Sequence, residues 1–287
     1  MSTRQRLRIA LQKSGRLNDK SLGLLARCGL SFEMRKDVLL APCENFPLDL
    51  MLVRDDDIPE YVHDGICDLG IVGQNVLQEK LLLKSPSASD GVKVLRKLGF
   101  GTCRLSLAVP KEFDYQSPSS LSGKRIATSY AGILKQYLDA QKITAEIIPL
   151  TGSVEIAPTV KIADFICDLV SSGETLRSNG LREVEVLLKS EAVLVRAVGA
   201  LPASQEKSAA RLLARIEGVI KASQNKYIMM NAPRNALETI KGILPGMESP
   251  SIIPLGDDGE KIAIHAVARE NIFWETMERL KAAGASS

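Results

Sequence analysis

Two stretches of the chain open with the same four residues: Ile66–Leu77 reads ICDLGIVGQNVL and Ile166–Leu176 reads ICDLVSSGETL. Each is a short apolar run with an acid inside it and small polar residues behind it. That pattern reads as a buried strand feeding a loop. Each also closes the same local order. In the first half, strands RLRIAL (6–11) and LDLMLVR (48–54) alternate with helices over NDKSLGLLARCG and DDDIPEYVHDG. Asn18 or Asp19 is the expected cap of the first helix, and Gly29 its stop. In the second half, KRIATS (124–129), AEIIPL (145–150) and FICDLV (165–170) are strands. Between them a helix covers YAGILKQYLDAQ, and a loop and helix cover TGSVEIAPTVKIAD. The recurrence predicts a duplicated, two-lobed α/β architecture with mostly parallel sheets. In such sheets ligands bind beyond the carboxyl ends of the strands, so a cleft between the lobes is the expected site.

The organisation predicted along the chain has three parts. A first lobe covers residues 1–100 and is rejoined by about 186–222, a second lobe covers 101–185, and a C-terminal domain covers 226–287. Polar, Pro- and Ser-rich stretches (Lys84–Gly91 and Lys111–Ser122) flank the passage between lobes. The tail reads strand KYIMM, helix RNALETIKGIL, a hairpin of SPSIIPL and EKIAIHAVA around GDDGE, and a last helix. A split βαβ sandwich has one strand more, so this domain is expected to lack its last strand.

Bulk properties narrow the function. A net charge of +3 over 287 residues, without a basic stripe and interleaved aromatics, is too weak a field for nucleic acid. No apolar run of about 20 residues is present to span a membrane. The N-terminus has charges but no apolar segment of a secretory signal. Five widely spaced cysteines without a CxxC read as reduced thiols, and the location predicted is cytoplasmic. Two histidines, His63 and His265, leave little for a Ser-His-Asp or multi-histidine metal site.

The segment DLVSSGET offers a specific chemistry. Asp168 at a strand end can accept hydrogen bonds from a vicinal diol. Ser171, Ser172 and Thr175 supply hydroxyls, and Gly173 lets the backbone turn close to a ligand. A helix starting near Glu174 turns free N–H groups outward as an anion site. Together these describe a binder of ribose 5-phosphate. The plainer alternative is a helix start capped by Ser172.

These residues resemble the phosphoribosyl-diphosphate loop of phosphoribosyltransferases. With LQKSGRL, VRDDDIP, DLGIVGQNVL, CRLSLAVP, KRIATSY, GSVEIAP, DLVSSGETLRSNGL and ESPSIIPL in order, the chain from about Leu7 onward resembles the long form of ATP phosphoribosyltransferase, the first enzyme of histidine biosynthesis. The resemblance implies transfer of the phosphoribosyl group to N1 of ATP with release of diphosphate. It also implies a two-lobed core like type II periplasmic binding proteins and a ferredoxin-like, ACT-related C-terminal domain that binds histidine as inhibitor. Mg2+ is carried mainly by the substrate diphosphate, with Glu155 or Asp168 as candidate protein ligands. A homo-oligomer, dimer or hexamer, is implied as well.

Carried over residue by residue, Asp168, Ser171, Ser172, Gly173, Glu174, Thr175 and Leu176 form the phosphoribosyl loop. Glu155 is a second acid for the diol or the metal, or else a helix-start acid. Lys13 and Arg16 neutralise the departing diphosphate. Arg54, Asp55, Gly70, Gly73, Thr128, Ser129 and Tyr130 are the nucleotide candidates; Tyr130 serves equally well as interdomain packing. Asn231 and Ser251 lie in the blocks that carry effector contacts. One departure is Val38, where the family often has an arginine; Arg35 or Lys36 is the available substitute. Two other readings are a periplasmic-type solute binder and a regulatory subunit without activity.

Overall fold

The computed structural model describes residues 6–33, 38–83, 91–244, 249–256, 259–269 and 273–286. Contacts divide the chain into two units, 1–212 and 213–287.

The first unit holds two sheets. Its elements begin with β1 (Leu7–Gln12), α1 (Arg16–Arg27), β2 (Leu40–Pro42), β3 (Leu48–Val53), α2 (Ile58–His63), β4 (Leu69–Gly73), α3 (Gln74–Leu83) and β5 (Val92–Lys97). They continue with β6 (Cys103–Pro110), β7 (Arg125–Thr128), α4 (Ala131–Gln141), β8 (Glu146–Pro149), β9 (Phe165–Val170), α5 (Glu174–Ser178), β10 (Leu181–Ser190) and β11 (Ala192–Ala197). The first sheet runs β2-β3-β1-β4-β11-β5 and the second β10-β6-β9-β7-β8. β1 is buried on both faces, with Leu7, Ile9, Ala10 and Leu11 fully enclosed, as a central parallel strand requires.

The sheets are mixed rather than mostly parallel. β1 with β3 and β4, and β7 with β8 and β9, are parallel; β2, β5, β6, β10 and β11 run antiparallel to their neighbours. The reason is connectivity. The chain leaves the first sheet after β5 and enters the second at β6, then returns from β10 to β11. The two crossovers lie side by side, since Leu98 N donates to Ala192 O (2.9 Å) and Ala192 N to Phe100 O (2.8 Å). The predicted strand ICDLGIV is shorter than expected: β4 begins at Leu69, and Asp68 before it accepts the Arg8 amide at 2.7 Å.

Beside the crossovers, α3 clasps the second sheet's layer. Asn75 N donates to Ser190 Oγ (3.0 Å), and that hydroxyl donates to Asn75 Oδ1 (2.8 Å). The buried carboxylate of Glu79 accepts the Gly132 and Ile133 amides at 2.7 and 2.9 Å. A carboxylate at a helix N-terminus satisfies two donors that the first turn of α4 leaves free.

The division between units falls inside α6 (Ala203–Gln224). The second unit continues with β12 (Asn225–Pro233), α7 (Leu237–Ile243), β13 (Ser251–Leu255), β14 (Lys261–Arg269) and α8 (Phe273–Ala282), in the order β12-β14-β13. Alternation along β12 and β14 sends Ile228, Met230, Ile262 and Ile264 into one core with Ile240 and Leu280. The chain then turns back: Asn231 and Ser286 exchange amide bonds of 2.6 and 2.7 Å, an antiparallel bridge on the outer edge of β12. Among the described residues no helix is long and apolar enough to cross a membrane.

Candidate active site

The site is built where β9 ends. Phe165, Ile166 and Cys167 are buried between β6 and β7, which fixes the strand's exit. Asp168 follows, half-buried, with its Oδ1 taking the Leu169 amide at 2.7 Å. The loop Ser171–Gly173 ends with Gly173 at φ 77°, a left-handed conformation that glycine adopts without strain. α5 begins there. Among the described residues the amides of Ser171, Ser172, Gly173 and Thr175 make no hydrogen bond to the protein. The Ser172 hydroxyl lies 3.4 Å from the Glu174 amide, a weak cap.

This loop lines a cleft of about 760 Å3 together with Asp168, Glu155 and Arg16. Glu155 comes from a 3-10 turn, Val154–Ile156. Arg16 comes from the other sheet's layer. Its position is informative, because α1 starts at Arg16 and not at the expected caps. Asn18 is instead buried with its Nδ2 donating to Gln12 O. An arginine at the first position of a helix opposes the macrodipole, an arrangement that suits an anion arriving between them. Burial holds the Asp168 carboxyl above the ordinary carboxylate range, and the nearby charge of Glu155 pushes it the same way.

The remaining candidates separate. Lys13 is exposed, with its amide donated to Val53 O at 2.7 Å, and is not among the residues lining the cleft. Leu176 lines it but is buried in the apolar cluster with Val170 and Leu181. Arg54 is exposed and Asp55 half-buried; burial and then the charge of Asp56 raise the Asp55 pKa. Tyr130 joins the two layers, its hydroxyl accepting from Asn75 Nδ2 at 2.8 Å. Burial opposes its ionisation, and the charges of Asp55 and Asp168 add to that. Ser129 is exposed and donates to Leu150 O at 2.7 Å.

Three candidates have internal tasks that sequence reading did not foresee. Gly70 lies inside β4, and a Cβ there would stand 2.7 Å from Ile58 Cγ2 and 3.0 Å from Val62 Cγ2; it admits α2, not a ligand. Gly73 ends β4 with α3 following directly, so no loop exists there, and its bare Cα makes room for the Asn75 carboxamide. Thr128 is fully buried and its hydroxyl accepts the Tyr130 amide at 2.9 Å.

In the second unit, Ser251 pairs with His265 and Asn231 with Ala263 on the sheet. Ser251 lines a cavity of about 560 Å3 with Tyr227, Ile253 and His265, and the Tyr227 hydroxyl is hydrogen-bonded to His265 Nδ1. Asn231 is not among its lining residues. Val38 is exposed, and its candidate substitutes Arg35 and Lys36 lie outside the described residues.

The family model described as ATP phosphoribosyltransferase matches residues 54–218. The chain belongs to the ATP phosphoribosyltransferase family. The model of the HisG C-terminal domain matches residues 222–287, which makes it the long form of this enzyme of histidine biosynthesis. Among solved structures, a chain of the ATP phosphoribosyl transferase (HisG:HisZ) complex from Thermotoga maritima is similar at 28% identity and TM-score 0.63, over 75% of this chain and 99% of that one. A histidine kinase sensor domain with similarity to periplasmic binding proteins matches at 9% identity and TM-score 0.50, over 78% and 93%. An L-cystine ABC transporter protein from Listeria monocytogenes matches at 13% and 0.50, over 76% and 91%. These last two share the fold of the ATP phosphoribosyltransferase's two-sheet unit and no more. Membership in the family removes the solute-binder reading.

Proposed function

We propose that this enzyme joins C1 of the ribose of phosphoribosyl diphosphate to N1 of the ATP adenine. The C1–O bond to diphosphate breaks, the N1 lone pair forms the new C1–N bond, and diphosphate leaves. The observation that carries the reading is the convergence of Asp168, Glu155, Arg16 and a run of unpaired loop amides around one cleft. The amides of Ser171–Thr175 and their hydroxyls suit the 5-phosphate, whose oxygens accept several hydrogen bonds at once. Asp168 suits the ribose diol.

Negative charge grows on the departing oxygen as the C1–O bond stretches. Arg16 therefore stabilises the transition state more than the bound substrate. Lys13, off the cleft lining, is the secondary cation. Adenine N1 is already nucleophilic, so holding it in line contributes more than a general base does. Arg54, Asp55, Ser129 and Tyr130 form the wall we assign to the nucleotide.

The carboxylates of Asp168 and Glu155 are hard oxygen donors, neither in an ion pair among the described residues, and they fit Mg2+ held jointly with substrate diphosphate. No cluster of three or more metal-ligating side chains occurs among the described residues. The ion supplies charge neutralisation of the leaving group.

We assign histidine inhibition to the C-terminal sheet, around Ser251 and His265; Asn231 belongs to the same face but outside that cavity. The exposed apolar side chains Tyr227, Met229, Ile253 and Val267 on that face support self-association into a dimer or hexamer. Five free thiols support a reducing, cytoplasmic setting. The test is incubation of the full chain with ATP, phosphoribosyl diphosphate and Mg2+. An absorbance change from N1-substituted adenine, absent when either substrate is omitted, is the expected result; its absence with both present refutes the reading.

A further inference from the structure

Arg104 belongs to the segment CRLSLAVP, whose charged residue has no assigned task. It sits on β6, and the register places it beside Val170, the last residue of β9. Each of its three guanidinium nitrogens donates one hydrogen bond. Nε and Nη2 each donate to the Glu183 carboxylate at 2.5 Å, and Nη1 donates to Ser171 O at 3.1 Å. Ser106, fully buried two residues along the strand, donates to Glu183 Oε1 at 2.8 Å. Hydrogen bonding from Arg104 holds the Glu183 carboxyl below its ordinary range, so the pair stays charged. Arg104 is not among the residues lining the cleft, whereas Ser171 and Ser172 are.

In a trans peptide unit the carbonyl and the following N–H point opposite ways. Anchoring the Ser171 carbonyl on Arg104 therefore turns the Ser172 amide away from Arg104. We propose that Arg104, oriented by Glu183 and Ser106, is a positioning residue that fixes the Ser171–Ser172 peptide so that the loop presents its amides to the sugar phosphate. The proposal rests on the phosphoribosyl reading of this loop. Lysine does not replace the arginine, because its three donors sit on one nitrogen and lack the span by which separate guanidinium nitrogens reach the carboxylate and the carbonyl.

The test uses the full chain with Mg2+ and calorimetric binding of both ribose 5-phosphate and phosphoribosyl diphosphate. The variants are Arg104→Met, Arg104→Lys and Glu183→Gln, each checked for an intact fold by circular dichroism. Should Arg104→Met fail to fold, Glu183→Gln carries the test, since it retains Arg104 and removes its orientation. Both ligands should weaken together, by roughly tenfold or more for loss of a charge-assisted hydrogen bond, with the KM for ATP unmoved and only partial recovery in Arg104→Lys. Folded variants that bind both ligands as wild type does overturn the proposal. So does weakening of phosphoribosyl diphosphate alone, which marks a direct contact with its diphosphate. A wild type that binds neither ligand rejects the phosphoribosyl reading itself and is thereby distinguished from failure of this step.

Discussion

Asp168→Asn separates binding from stability. Asp168 Oδ1 is engaged by the Leu169 amide, leaving Oδ2 for a ligand. Asparagine keeps the first acceptor and turns the second into a donor, so one charge-assisted hydrogen bond to the ribose is lost, about 1.5–3 kcal/mol. The dissociation constant for phosphoribosyl diphosphate should rise roughly 10- to 100-fold, read by calorimetry. Stability should move the other way. The folded-state pKa of Asp168 lies above its ordinary value of 3.8, so the folded form holds this proton to higher pH than the unfolded chain does. Its favourable contribution is present below 3.8 and lost as pH rises through the raised value; at neutral pH the ionised group opposes folding. The neutral variant should therefore melt at or above the wild-type temperature at pH 7. The same direction of shift gives wild-type binding an acid limb, starting above the ordinary carboxylate range, that the variant lacks. Unchanged affinity refutes the ribose role, and a large fall in melting temperature refutes the picture of a carboxylate held against its own solvation.

Arg16→Ala should lower kcat about 100-fold, as loss of one preorganised charge does, while urea unfolding shifts by no more than about 0.5 kcal/mol because the side chain is exposed. Gly70→Ala should destabilise by about 1–3 kcal/mol in urea, since the new methyl meets the stiff, buried Ile58 and Val62. Glu79→Ala leaves the Gly132 and Ile133 amides without their acceptor and should cost about 1–3 kcal/mol by thermal melt, whereas Glu79→Gln retains part of that.

Much of the site could be read in sequence because it is local. An apolar strand, an acid, two serines and a glycine in six residues specify a strand end, a tight turn and exposed amides whatever lies around them. Gly173 does adopt the left-handed turn that this reading needs. What depended on distant pairing was harder to see. Arg104, Ser106 and Glu183 meet only because β6 lies between β9 and β10, and no spacing in the chain announces that. Gly70 looked like a ligand-facing glycine because ICDLG mirrors the second lobe, yet the neighbour that needs its space is a helix from earlier in the chain. The start of α1 departs from the expected caps for a related reason. Asn18 has the composition of a cap but spends its side chain on the carbonyl of Gln12, and the helix begins at Arg16. The expectation of parallel sheets failed where the chain crosses between them, since a strand returning from another sheet enters in the opposite sense.

The clasp of Glu79 on the start of α4, together with the paired crossovers, ties the first sheet's layer to the second at two separate places. Arg16 stands in the first of these layers and the Ser171–Thr175 turn in the second. The spacing between the cleft's cation and its bare amides is therefore inherited from joints that touch neither.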